Sequence, residues 1–209
     1  MEEQIMNMPA VALRGLTILP GMIAHFDISR ERSLRAVEEA MEQDQKIYLV
    51  TQRNVDSEDP TQEDLYQMGI VADIKQVVRL QNDVVRILVD GISRAALLGF
   101  TGNEKYLEAE ICYCDSNADS LPEDLREAML LGVREAFHRY AAVVGKISKE
   151  LIRQIDQYED LEKLIDYVTN NLPVSYELKQ QVLEAEDIND RYQAVSYTHL
   201  RAHETGAYL

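Results

Sequence analysis

Residues 65–100 read LYQMGIVADIKQVVRLQNDVVRILVDGISRAALLGF, and this run limits the possible folds more than any other stretch. Ile70, Ala72, Ile74 and Val78 fall on one face of an extended chain, interrupted only by Gln76. After Asn82-Asp83 the pattern returns, with Val85, Ile87 and Val89 on one side and Val84, Arg86, Leu88 and Asp90 on the other. Two period-two runs around an Asn-Asp pair predict a β-hairpin with one face packed inward. Gly69, Gly91 and Gly99 fall where such a sheet would bend or close. None of the polar residues in the run is placed as a nucleophile, base or ligand. The run is scaffold, and contacts with partners are expected from the loops and corners it supports.

The preceding residues supply strands that can join this hairpin. Val11–Leu19 and Met22–Ile28 read as short strands joined by the turn pair Pro20-Gly21. Ser29 is placed to cap a helix carrying Leu34, Val37 and Met41, with Ala36 and Ala40 beside them. Lys46–Gln52 returns as a strand and completes a small β-α-β unit. Asn54–Asp64 is polar around Pro60 and reads as a surface loop. In Lys105–Cys114, Leu107, Ala109, Ile111 and Tyr113 alternate with Glu108, Glu110, Cys112 and Cys114, which predicts one more half-buried strand. Six or so strands with one inserted helix suggest a barrel-like β domain over residues 1–117.

The period then changes from two to 3.6. Asp115–Asp119 reads as a linker, and Ser120-Leu121-Pro122-Glu123 resembles a capping box. Leu125, Ala128, Met129, Gly132, Val133, Ala136, Phe137 and Tyr140 form a long apolar stripe. Ser148 starts a second helix with Leu151, Ile152 and Ile155; a third carries Leu161, Leu164, Ile165 and Val168 and stops before Leu172-Pro173. Ser175 starts a fourth with Leu178, Val182 and Ala185, and a last segment holds Ile188, Tyr192 and Val195. Short connections between amphipathic helices predict a helical bundle over residues 118–195, so the class is α+β. Residues 196–209, which hold two of the four histidines, continue no helix period. They are read as a non-native, unstructured tail.

Charge removes several function classes. The net charge is −16, with 11 basic against 20 acidic side chains through Asn117 and 9 against 16 over residues 118–195. Both parts would repel a phosphate backbone, so nucleic acid is not an expected partner. No run reaches the ~20 apolar residues that span a bilayer, and the acidic start is no secretory signal. A cytoplasmic location is expected, and two cysteines imply no disulfide scaffold.

No catalytic or cofactor-binding motif emerges. Gly145-Lys146-Ile147-Ser148 lacks the Ser or Thr after Lys146 that a phosphate-binding loop needs, and Tyr140 stands where its upstream glycine belongs. Ser148-Lys149 reads more simply as a helix cap and its neighbour. Cys112 and Cys114 share a strand face, but a tetrahedral metal site needs two further ligands, and outside the tail only His25 and His138 remain. The 37 acidic residues lie mostly on helix faces and loops, and the sequence singles out no catalytic pair. Catalytic, metal and cofactor residues are therefore expected to be none.

What remains is binding. The corner Leu19-Pro20-Gly21-Met22-Ile23 puts apolar side chains on a turn, where they gain from a partner. Pro20, Met22, Ile23 and Phe26 are the candidate contacts for a protein substrate. The competing reading, from strand alternation, has Met22 and Phe26 filling the domain core.

Three segments carry a family resemblance: Leu13–Met22 with the Arg30-Glu31-Arg32-Ser33 helix start, the run 65–100, and Leu172–Glu184 through Arg191-Tyr192. Together they resemble the N-terminal domain of Lon, the ATP-dependent protease. Leu19 stands where that family commonly has Phe, and Ile70 where it often has Thr. The resemblance implies a PUA-like pseudo-β-barrel followed by a helical bundle. It also implies selection of unfolded, damaged or degron-bearing proteins and support of a hexamer. In that family the ATPase motor, with its ATP and Mg²⁺, and a Ser-Lys protease module follow in the same chain, and neither is present in this sequence. A stand-alone Lon-type binding module without a protease is the alternative, and a small enzyme with an unrecognised carboxylate site is a third possibility from another class.

Overall fold

Strands dominate up to Tyr113 and helices from Glu123 onward in the computed structural model, which describes residues 5–114 and 121–196. Contacts divide the chain into two compact units, Met1–Asp115 and Ser116–Leu209.

In the first unit, β1 (Ile5–Leu13), β2 (Ile23–Ile28), β3 (Lys46–Thr51), β4 (Met68–Arg79), β5 (Val85–Phe100) and β6 (Glu108–Tyr113) form one sheet, with α1 (Glu31–Glu42) between β2 and β3. The strand order is β2-β5-β4-β3-β1-β6, and β5 also pairs with β6. That last pairing closes β5, β4, β3, β1 and β6 into a ring, with β2 laid along the first half of β5. Strand β5 therefore serves three neighbours: Val85–Asp90 faces β2, Ala95–Phe100 faces β6, and β4 runs along Val85–Ala96. Closure leaves few open strand edges, which is how a small β domain avoids pairing with other chains.

The hairpin is present, with Asn82 and Asp83 both at positive φ in its turn. However, it buries both faces rather than one. Ile87 and Val89 pack into a cluster with Ile70, Ala72 and Ile74, whereas Ala95 and Leu97 pack into a second cluster with Val71 and Tyr48. All four β5 residues are odd-numbered, so a regular strand would keep them on one face. A bulge lets them change sides: Ala72 lies opposite Gly91 and Val71 opposite Ser93, leaving Ile92 unpaired between them. A second bulge, at Lys75, explains why Gln76 interrupts the pattern. Ile74 faces Val89 and Gln76 faces Leu88, so beyond Lys75 it is Val77 that packs on the core, while Val78 is exposed. Strand β3 contributes alternately to the two clusters, Ile47 and Leu49 to one and Tyr48 and Val50 to the other. Its continuous apolar run is the mark of a strand buried on both faces.

Several local expectations change. The first strand starts at Ile5 rather than Val11, because Ile5–Pro9 pairs antiparallel with Glu108–Cys112 far along the chain. It stops at Leu13, and Gly15 at φ +61° then turns the backbone. The parallel neighbour of β3 is β1, so the crossover runs through both β2 and α1, and β2 itself leaves for β5. Arg30, not Ser29, is the N-cap of α1, with no side-chain cap bond. The buried face of α1 is built from the small residues Ser33, Ala36 and Ala40 with Val37, and Met41 is exposed. Small side chains let a helix sit close to a sheet, which turns the larger Met41 outward.

The second unit holds α2 (Glu123–Val144), α3 (Lys149–Gln157), α4 (Leu161–Asn171) and α5 (Tyr176–Glu184), with residues 188–196 also helical. In α2 the buried stripe is Met129, Leu130, Val133, Phe137, Tyr140 and Ala141; Leu125 and Ala128 are exposed, so the stripe begins a turn later than its spacing suggested. The Ser148 hydroxyl accepts from the Leu151 amide at 3.1 Å, and an Asp160 carboxylate oxygen accepts from the Lys163 amide at 3.1 Å, capping α3 and α4. Leu161, Leu164, Ile165 and Val168 are buried as expected, as are Ile188 and Val195. The buried Arg191 guanidinium reaches the Glu162 carboxylate and donates to the Ala185 carbonyl at 2.6 Å. The proposed capping role of Ser120, the linker and residues 197–209 lie outside the described residues.

Candidate functional site

The corner before β2 is built by a turn and held by the bend of β5. Met22 donates its amide to the Leu19 carbonyl at 3.1 Å, and Gly21 at φ +70° supplies the left-handed step such a turn needs. Gly21 donates to the Gly91 carbonyl at 2.8 Å, and Gly91 donates to the Met22 carbonyl at 3.0 Å. Strand β2 then pairs with β5 from Ile23 opposite Asp90 to Ile28 opposite Val85. Leu19, Ala24 and Ile28 are buried and anchor the corner from inside.

The four candidate contacts divide. Ile23 points to solvent with 68% of its surface exposed. Pro20 is half-buried on the turn, and Met22 and Phe26 are half-buried against the core, as strand alternation argues. Sequence reading missed Ile92, the unpaired residue of the β5 bulge, which is 44% exposed immediately after Gly91. The bulge leaves Ile92 out of register, and this apolar residue one position after Gly91 is where the alternation breaks. A comparable bulge against β6 leaves Leu98 exposed.

A second feature lies at the other end of β2 from the corner. A cavity of about 220 Å³ opens between the ends of β1 and β2, with Val11, Leu13, Leu16 and Phe26 as its apolar lining and Arg14 and Arg30 at its rim. Both arginines donate to the Ser57 carbonyl, at 2.9 and 3.0 Å. Burial, and then the neighbouring charge of Arg14, pulls the Arg30 guanidinium below its ordinary value. Asp27, which also lines the cavity, is bound by Arg86 through two hydrogen bonds of 2.7 and 2.8 Å. That bidentate pairing holds its carboxyl below the usual range.

Among the described residues no group of three or more His, Cys, Asp or Glu side chains is placed to hold a metal ion. Cys112 and Cys114 are not joined in a disulfide, and the Cys114 Sγ lies 3.7 Å from the Met68 sulfur. His25 is exposed on β2, and the His138 ring nitrogen sits 2.8 Å from the Asp156 carboxylate, linking α2 to α3. No described helix is long and apolar enough to cross a membrane.

The family of ATP-dependent protease La (LON) substrate-binding domains has a model that matches residues 7–198. The Lon protease of Lachnoclostridium phytofermentans is 36% identical over 193 residues, covering 92% of this chain and 24% of that protein. Lon protease 1 of Bacillus subtilis is 31% identical over 194 residues, covering 93% and 25%. The chain thus spans about a quarter of the length of the curated relatives it matches. In fold, it is similar to the N-terminal domain of the Mycobacterium avium complex Lon protease, with a TM-score of 0.77 at 18% identity, covering 93% of this chain and 98% of that one.

Proposed function

As the chain belongs to the Lon substrate-binding domain family, we propose that it is the protein-capturing part of an ATP-dependent Lon protease and that it engages unfolded, damaged or degron-bearing polypeptides at the β2 corner. The observation that carries this reading is Ile23, a large apolar side chain 68% exposed on a corner bonded to β5. A rigidly held apolar group loses little freedom on binding, which favours even a small contact. Unfolded chains are the clients that expose the matching hydrophobic segments.

In this reading the ATPase motor, with ATP and Mg²⁺, and the serine protease module lie outside these residues, and this portion itself cleaves nothing. A hexameric parent would present six such corners, so weak single contacts add up through the raised effective concentration of a tethered client. The acidic charge of both units disfavours nucleic acid and suits a cytoplasmic protein partner. The alternative is a free-standing binding module of the same family. Coding sequence past Val195 separates the two, since a nucleotide-binding motif and a Ser-Lys pair downstream support the protease and a stop codon supports the module. Capture itself is tested by titrating the chain with one protein in unfolded and native form. Binding of the unfolded form alone is expected; equal or absent binding of both counts against the reading.

A further inference from the structure

The cavity between the ends of β1 and β2 combines three properties that the corner lacks. It is concave, it has an apolar lining from Val11, Leu13, Leu16 and Phe26, and its rim carries two cations. Cavities of about 150 Å³ already hold a benzene-sized group, so one of about 220 Å³ holds a single large apolar side chain. The cations are unusual for this chain, whose acidic residues outnumber its basic ones by 37 to 21. Among the described residues neither Arg14 nor Arg30 forms an ion pair, although other surface arginines such as Arg32 and Arg35 do. Each spends one donor on the Ser57 carbonyl, and a guanidinium has five N–H donors in a planar fork that matches a carboxylate. Among the residues lining the cavity the acidic side chain is Asp27, which is paired with Arg86; Asp59 and Glu58 also act on the Arg30 charge from nearby, and Asp59 is itself held by Arg32.

We infer that this cavity is a subsite for the C-terminal residue of an unfolded polypeptide, taking an apolar side chain on its lining and the terminal carboxylate on Arg14 and Arg30. The inference rests on the capture reading above and names a chain end as the feature captured. Strand β2 lies at the edge of the sheet with β5 as its strand partner. An extended peptide entering the cavity therefore meets backbone groups able to add main-chain hydrogen bonds.

The test uses the intact chain and a labelled unstructured peptide ending in leucine, as free acid and as C-terminal amide. The free acid is expected to bind about tenfold more tightly, and Arg14→Gln or Arg30→Gln to abolish that preference while Arg14→Lys retains part of it. Thermal melts establish that each variant is folded, and the acid–amide comparison on the unaltered chain needs no variant. Equal binding of acid and amide overturns the subsite. So does an amidated peptide with an internal aspartate that binds as tightly as the free acid. If the peptides fail to discriminate while unfolded protein still binds in an Ile23-dependent way, the subsite falls and the corner stands. If unfolded protein fails to bind as well, both readings fall.

Discussion

Gly91 and Met22 are joined by a hydrogen bond of 3.0 Å from the Gly91 amide to the Met22 carbonyl, so the exposed corner hangs directly from the bend of the longest strand. Any Cβ at position 91 would overlap the Leu19 carbonyl and crowd Ile70 and Ile18. The backbone oxygen cannot move without releasing the corner. Gly91→Ala is expected to destabilise the first unit by about 2 kcal/mol or more, the scale of overpacking a closed core, and to weaken capture of unfolded protein. Gly99→Ala is the control, since its Cβ meets nothing nearer than Gln62 at 3.8 Å. Its cost is expected to stay within about 0.5 kcal/mol, and urea unfolding of the two variants compares them directly.

Much of this arrangement was legible because apolar alternation reports burial face by face. Ile87, Val89, Ala109 and Ile111 were read as inward from spacing alone, and all four are fully buried. What spacing cannot report is a change of face. Ala95 and Leu97 keep the parity of Ile87 yet join the opposite cluster, because one residue, Ile92, is taken out of register. Nor does a local pattern reveal a partner remote in sequence, which is why Ile5–Pro9 is left out of the first strand as read from spacing. The candidate site suffered for the same reason. Ile23 could be named from its turn, but Ile92 and the convergence of Arg14 and Arg30 on Ser57 depend on pairings that join distant segments.

The Tyr48 hydroxyl donates to the Ala95 carbonyl at 3.0 Å inside the barrel. Burial, with a smaller contribution from Cys114, pushes its phenol well above the ordinary value. In the unfolded chain this phenol loses its proton near pH 10 (roughly the free-tyrosine value), whereas the folded state keeps it. The folded state then binds more protons, so stability is full below about pH 10 and falls as pH rises beyond it. Tyr48→Phe is expected to cost about 1 kcal/mol at neutral pH for the lost hydrogen bond, yet to show a shallower decline above pH 10. Tyr106, Tyr140 and Tyr167 are also pushed up, chiefly by burial, so part of the decline remains. Urea midpoints measured between neutral and alkaline pH check both halves; an unchanged alkaline slope would contradict the assignment.

In the helical unit, Arg191 is buried and bound to Glu162, with further donation to the Ala185 and Glu186 carbonyls. Removing one partner of a buried ion pair costs about 3–5 kcal/mol, whereas replacing both with apolar groups of similar size can be nearly neutral. Glu162→Met is therefore expected to destabilise the helical unit strongly. Adding Arg191→Met to Glu162→Met should recover part of the loss but not all, because the two carbonyls lose their donor. Helical circular dichroism on heating reads the series, and strictly additive effects in the double variant would rule out the coupling.

Capture at the corner separates from stability because Ile23 and Ile92 already face solvent. Replacing either with serine removes apolar surface that the folded domain does not bury, so stability is expected to change by no more than about 0.5 kcal/mol. A client that covers one such side chain gains roughly 1 kcal/mol from it, so each variant should weaken binding of unfolded protein about fivefold. Val143 supplies the comparison, being 50% exposed on α2, in the other unit. If binding depended only on exposed apolar area, Val143→Ser would weaken it as much as Ile23→Ser does. A site at the β2 corner requires that it leave binding unchanged, and fluorescence anisotropy with one labelled unfolded protein decides between the two.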